Sequence, residues 1–337
     1  MVANGTRSVW NIPLLLLMSA FWGATFIAIK IAAPYVGPLT TAASRIAIGA
    51  VALALPIGIK RLVGDLSGAD WGRLFAAGAF NNAVPFALIS WAEQSIDSAE
   101  AAILMALAPF FALVFAHFGT NDDKMTVPKL LGALIGFGGI LVLFGDAAGI
   151  GASESGDGLF QQIAVAGAAA SYTISAVLTD RLKGRVESHR LAALVLVSGA
   201  VLVVPVALAM EGPQLHSVPP ADALVALLYL GLFGTAAAQM IRFQLLKNTG
   251  PTFVALSGYL VPLFGILWSI LLLGEEIQPF FWLGLALVLG GTALVRLQRP
   301  ALRVRREHND VSAAAPQPTS SSVSTTATSA GPHGIGA

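Results

Sequence analysis

The chain of 337 residues has no cysteine, and only 11% of its residues are charged. The first absence excludes disulfides, thiolate nucleophiles and cysteine-ligated metals. The second is far below the ~25% usual for soluble domains. No GxxxxGK[ST] phosphate loop occurs, which argues against an ATPase motor within this chain. An intramembrane enzyme would need a buried constellation such as HExxH, GxSxG or paired acids; none is present, and the chain is not expected to be an enzyme. The net charge of +1 carries no nucleic-acid signature. No nucleic-acid partner, cofactor or metal is expected.

What is present is apolar sequence, with 56% of residues hydrophobic. Runs of ~20 apolar residues with few charges read as membrane-spanning helices. Ten such spans cover 12–33, 38–59, 70–91, 98–118, 126–145, 159–180, 190–210, 222–246, 251–273 and 277–297. The first is span-length and leads directly into another span, so it reads as a helix rather than a cleaved signal peptide. The fold class predicted is an all-α integral membrane protein in the lipid bilayer.

The spans carry a repeat with an offset of about 152 residues. Gly132, Gly138 and Gly139 recur as Gly284, Gly290 and Gly291; Ala69-Asp70 recurs as Ala221-Asp222; Pro109 answers to Pro262. Each copy holds five spans, and an odd number inverts the second copy relative to the first. The predicted organisation is a cytoplasmic segment 1–11, a first five-helix repeat 12–145, an external loop 146–158, a second repeat 159–297 and a cytoplasmic tail 298–337. Lys and Arg accumulate in cytoplasmic loops. With both termini inside, every basic residue except Lys30 and Arg45 falls on the cytoplasmic side, and external segments carry acids such as Glu93, Asp97, Glu211 and Glu275. From Val311 onward the tail is Ser-, Thr-, Ala-, Pro- and Gly-rich, a composition predicted to stay disordered.

Mid-span polar side chains normally face the bundle interior or a wet cavity. Span 1 offers Trp22 and Thr25, span 3 Asn81 and Asn82, span 6 Tyr172, span 8 Gln239, and span 9 Ser257 and Tyr259. These are the candidate substrate-binding residues, together with Lys30 and Arg45. Any one hydroxyl or amide could equally bond its own helix or bridge two helices. Arg45 lies two turns into span 2, ~10 Å below the outer boundary, a depth that calls for a partner or water. Glu100, at the outer start of span 4, is a candidate partner for Lys30 or Arg45. Pro109 and Pro262 each free a backbone carbonyl and are candidate hinges. Spans 1, 3, 4, 6, 8 and 9 are expected to line a central cavity. Spans 5 and 10 are expected to pack outside it, their glycine faces suited to contact within the subunit or across a homodimer.

The run from Phe21 to Lys30, FWGATFIAIK, resembles the first-helix signature of the EamA family of the drug/metabolite transporter superfamily. Arg45, Pro109, Pro262 and Leu273-Gly274-Glu275 with the following glycines are similar to further family positions. The second copy departs from it, with Ala170-Ser171-Tyr172 where Trp-Gly would stand. The resemblance implies export or exchange of small metabolites, amino acids included, across a bacterial cytoplasmic membrane. The expected function is secondary transport by alternating access. A membrane channel or a non-transporting receptor is the alternative.

Overall fold

The computed structural model describes residues 10–108, 110–111, 131–132, 134–139, 142, 158–180, 182, 185–212, 218–249, 251–254 and 256–296. Among them the regular elements are all helical, with no β-strand. Apart from the short helices Ile59–Val63 and Pro251–Val254, the helices are α1 (Asn11–Val36), α2 (Pro38–Ala54), α3 (Gly68–Ala92), α4 (Ser98–Leu107), α5 (134–139), α6 (Leu159–Asp180), α7 (Ser188–Met210), α8 (Ala221–Thr249), α9 (Ser257–Leu273) and α10 (Pro279–Arg296). Five of these, α1, α3, α6, α7 and α8, are long and apolar enough to cross a membrane; α2, α4, α9 and α10 are shorter apolar helices. The segments 1–9, 146–157 and 297–337 lie outside the described residues.

Local sequence sets the helix boundaries. The 26 residues of α1 extend ~39 Å at 1.5 Å per residue, more than a ~30 Å hydrocarbon layer. Gly37 ends α1 at φ 84°, and Pro38 opens α2 at a first-turn position where its missing N–H costs nothing. α3 starts from a capping box in which Ser67 and Asp70 satisfy each other's backbone N–H. Hydroxyls within the bundle are largely absorbed by their own helix: Ser19 donates to Leu15 O at 2.8 Å and Thr41 to Gly37 O at 2.8 Å.

Small and large apolar residues together fill the bundle interior, with Met18, Ile29, Ile46 and Leu107 fully buried. α4 is buried throughout its first seven residues, Ser98 to Leu104. Val206 and Leu208 on α7 and Val225 and Leu228 on α8 are exposed, as suits side chains that face lipid. Helix pairings follow the repeat. α2 packs on α7 and α4 on α9, so corresponding helices meet. α1 packs on α8 while α6 packs on α3, and α1 packs on α9 while α6 packs on α4. α5 meets α10 through the signature glycines. A Cβ on Gly139 would stand 2.8 Å from Gly284 O, and one on Gly291 would strike Gly132 O and Gly136 N. These glycines therefore serve close backbone contact within the chain.

Candidate functional site

Two helices depart from α geometry at matching places. α3 contains a π-helical turn at Ala79–Ala83 and α8 one at Leu232–Ala237, positions related by the repeat offset. Such turns interrupt the i→i−4 ladder and recur at functional sites. In α8 the Ala238 N–H bonds to Phe233 O and Thr235 O, passing over Gly234 O, its ordinary α-helical partner. That carbonyl accepts instead from Arg45 Nη2 at 3.4 Å. Arg45 Nε donates to Thr235 Oγ1 at 3.0 Å, and Thr235 Oγ1 in turn donates to Leu230 O at 2.8 Å. The Phe86 ring lies under the guanidinium, 3.8 Å from its carbon.

Three close approaches make this junction. Gly49 of α2 admits Thr235, since a Cβ there would stand 2.7 Å from Thr235 Cγ2. Gly234 admits Thr25 of α1 in the same way, at 2.5 Å. Gly23 lets α1 meet the α9 backbone, where a Cβ would lie 2.8 Å from Gly265 N. Arg45 is 5% exposed. Among the described residues no carboxylate stands within ion-pair distance of it. Tyr172, Tyr229 and Glu93 are the groups whose fields reach it. Tyr229 spends its hydroxyl on Phe21 O at 3.1 Å.

Beyond Arg45 lies the acidic end of the bundle. Lys30 Nζ donates to Ile96 O at 2.6 Å. Glu93, the residue following α3, is buried at 1% exposure although the sequence places it in an external segment. Its Oε2 accepts from Ser98 Oγ at 3.2 Å; its Oε1 has no hydrogen-bond partner among the described residues. Burial pushes this carboxyl well above the usual carboxylate range, against the lowering pull of Lys30 and Ser98. Two other acids cap helices at this end. Glu211 accepts from Leu39 N at 3.0 Å and Thr40 N at 2.6 Å, at the start of α2. Glu275 accepts from Ser98 N at 3.0 Å and Ala99 N at 3.1 Å, at the start of α4. Carboxylates are stabilised there by the unsatisfied N–H groups and the helix dipole.

The structure gathers some of the predicted residues and separates others. Thr25 and Arg45 meet at the α2–α8 junction, and Tyr172 packs against the apolar group that includes Ile46 of α2 and Phe86 of α3; Lys30 stays at the acidic end, bonded to Ile96 O. Asn82 is an interhelical tether: its amide donates to Val195 O of α7 at 3.2 Å, and Asn81 donates to Asn82 Oδ1 at 3.1 Å. Ser257 donates to Val254 O at 2.8 Å, a local bond. Trp22 packs against the apolar group of Leu15, Met18, Ala238 and Leu245. Tyr259 is half-buried near the start of α9, and Gln239 keeps a buried amide oxygen without a partner among the described residues, just past the π turn. Pro262 lies inside α9; Pro109 lies outside the described residues. Glu100, offered as a partner for Lys30 or Arg45, accepts a hydrogen bond from Gln162.

Sequence reading left Glu93, Thr235, Tyr229 and Phe86 out of the site. Thr235 and Gly234 are visible as polar or small mid-span residues, but nothing in the sequence announces a π turn there. Glu93 carries no signal, because its position one residue past a span does not announce its burial or its bond to Ser98.

Comparison with known proteins agrees with this architecture. The model of the EamA-like transporter family matches residues 9–145 and 159–297. The chain is 26% identical over 278 residues to an uncharacterized transporter, YoaV, of Bacillus subtilis (strain 168), covering 81% of this chain and 92% of that protein. It is 26% identical over 319 residues to a probable terminal-alkyne amino-acid exporter of Streptantibioticus cattleyicolor, covering 90% and 97%. It is 28% identical over 283 residues to an uncharacterized inner membrane transporter, YedA, of Escherichia coli (strain K12), covering 82% and 87%. A solved crystal structure superposes with a TM-score of 0.59 at 20% identity over 88% of this chain and 98% of its own, a likeness of fold.

Proposed function

The chain belongs to the EamA-like transporter family, and from that premise we propose that it is a secondary transporter for amino acids or similar small carboxylate-bearing metabolites. It works by export or exchange across the bacterial cytoplasmic membrane. The acidic end, with Glu93, Glu211 and Glu275, faces outside; the basic end, with Arg73, Arg185 and Arg190, faces the cytoplasm. Two inverted five-helix halves move about the α2–α8 junction, with Pro109 and Pro262 as hinges. Pro262 lacks the N–H that would bond Gly258 O, so α9 can bend there.

The observation that carries this reading is the buried guanidinium of Arg45, held by neutral groups and by an aromatic face. A buried cation without an ion-pair partner is costly, and a substrate carboxylate supplies the missing countercharge in the form that guanidinium binds best. The similarity to a probable terminal-alkyne amino-acid exporter supports the same substrate class.

The test is counterflow of labelled L-amino acids in proteoliposomes. Saturable exchange, lost in Arg45→Ala, is the expected result. Flux that rises without saturation would replace the transporter with a channel, and binding without flux would replace it with a receptor.

A further inference from the structure

Two acids at the acidic end are buried and cap no helix, among the described residues: Glu100, which accepts from Gln162, and Glu93, which keeps an oxygen without a partner. For Glu93, Ser98, at the start of α4, bonds it, and the charges of Lys30 on α1, Arg45 on α2 and Glu275 in the α9–α10 connection act on it. The two cations favour its carboxylate, while Glu275 and burial oppose it. One oxygen is held by Ser98, and the other is a buried acceptor awaiting a donor. Leaving such an acceptor empty costs free energy, so a proton or an ammonium group is drawn to it. Both cannot occupy it at once.

We propose that Glu93 is a proton-exchange site of the transporter, at which a proton and the ammonium group of a zwitterionic substrate take turns. This rests on the amino-acid reading above. When substrate is bound, its carboxylate lies toward Arg45 and Lys30 and its ammonium group donates to the ionised Glu93. When substrate leaves, Glu93 takes one proton from water and becomes a neutral acid, so no unpaired anion stays buried. Releasing that proton on the opposite side before the next substrate binds couples one proton inward to one zwitterion outward. The net charge moved per cycle is that of the proton alone.

Infrared titration of the carboxyl C=O band in proteoliposomes reads the proton site without any substrate. A band that titrates with a midpoint above the ordinary glutamate value of about 4.3 and is missing in Glu93→Gln is expected. In Lys30→Met the midpoint should move higher, because a cation favouring the carboxylate has gone. This second reading holds if Glu93→Gln fails to fold. Added at saturating concentration, those common L-amino acids that show counterflow should lower the midpoint, and an inward-directed proton gradient should drive their efflux in the wild type and not in Glu93→Gln. Absence of a Glu93-dependent band, a midpoint unmoved by Lys30→Met, or a midpoint raised by amino acids would each overturn the proposal. A wild-type protein that moves no amino acid would instead overturn the substrate reading, while the titration still decides the proton site.

Discussion

Arg45 and Asn82 are both polar residues deep in an apolar helix, yet their partners give them different work. Arg45 depends on Thr235, whose hydroxyl accepts from the guanidinium and donates to Leu230 O. Thr235→Val keeps the shape and removes both bonds, leaving the buried Arg45 Nε–H without its acceptor at a cost of about 1–3 kcal/mol. We expect a lower unfolding midpoint in detergent and at least a tenfold loss of counterflow, with recovery in Thr235→Ser. Asn82→Ala should behave otherwise. It cuts the bond to Val195 O that ties α3 to α7, so the unfolding midpoint should fall while the half-saturating substrate concentration stays put. A large change in that concentration would move Asn82 back into the binding site. The sequence alone ranks these two residues together, because mid-span depth says that a polar group needs a partner and not which partner it has. Glu93 shows the reverse failure, since a position one residue beyond a span reads as solvent-exposed and here is buried.

At the level of the element, irregularities do the positioning. The π turn of α8 withdraws the usual donor from Gly234 O, and the glycines Gly49 and Gly234 bring α2, α8 and α1 close enough for Arg45 to reach that carbonyl. Helix ends matter as much. Glu211 and Glu275, both from the second half, cap α2 and α4 of the first half. Alternating access requires the acidic end to open, and these four N–H···carboxylate bonds stand across the opening. Glu275→Ala should remove about 1–2 kcal/mol of closure. The chain has no native cysteine, so a single thiol can report it. Ala99→Cys, at a position 1% exposed, should react slowly with an impermeant maleimide and several-fold faster when combined with Glu275→Ala. Equal rates would show that this cap does not hold the end shut. The recurring glycines were legible in the sequence because Gly at a fixed spacing marks close backbone approach. The π turns were not, because no residue type requires one.

For the molecule as a whole, hydropathy locates the apolar helices and the basic residues separate two ends, since both depend on composition alone. Which helices touch does not follow from composition. The pairings α2–α7, α4–α9 and α5–α10, with α1–α8 matched by α6–α3, are those expected of two similar halves related by a pseudo-two-fold axis. If that axis lies in the membrane plane, equivalent residues of the two halves must face opposite sides. Ala69 and Ala221 put this to the test. They are repeat mates, each beside its Asp at the start of a helix, and both are exposed. On the cysteine-free background, Ala221→Cys should react with an impermeant maleimide in intact cells. Ala69→Cys should react only after the membrane is permeabilised. Controls at Asp97 and Arg185, which lie at the acidic and basic ends, should follow Ala221 and Ala69 respectively. Labelling of both alanine positions from one side would rule out the inverted arrangement and the alternating-access scheme built on it. Opposite labelling with the sides exchanged would keep the inversion but reverse the orientation, placing Glu93 and its proton at the cytoplasmic mouth.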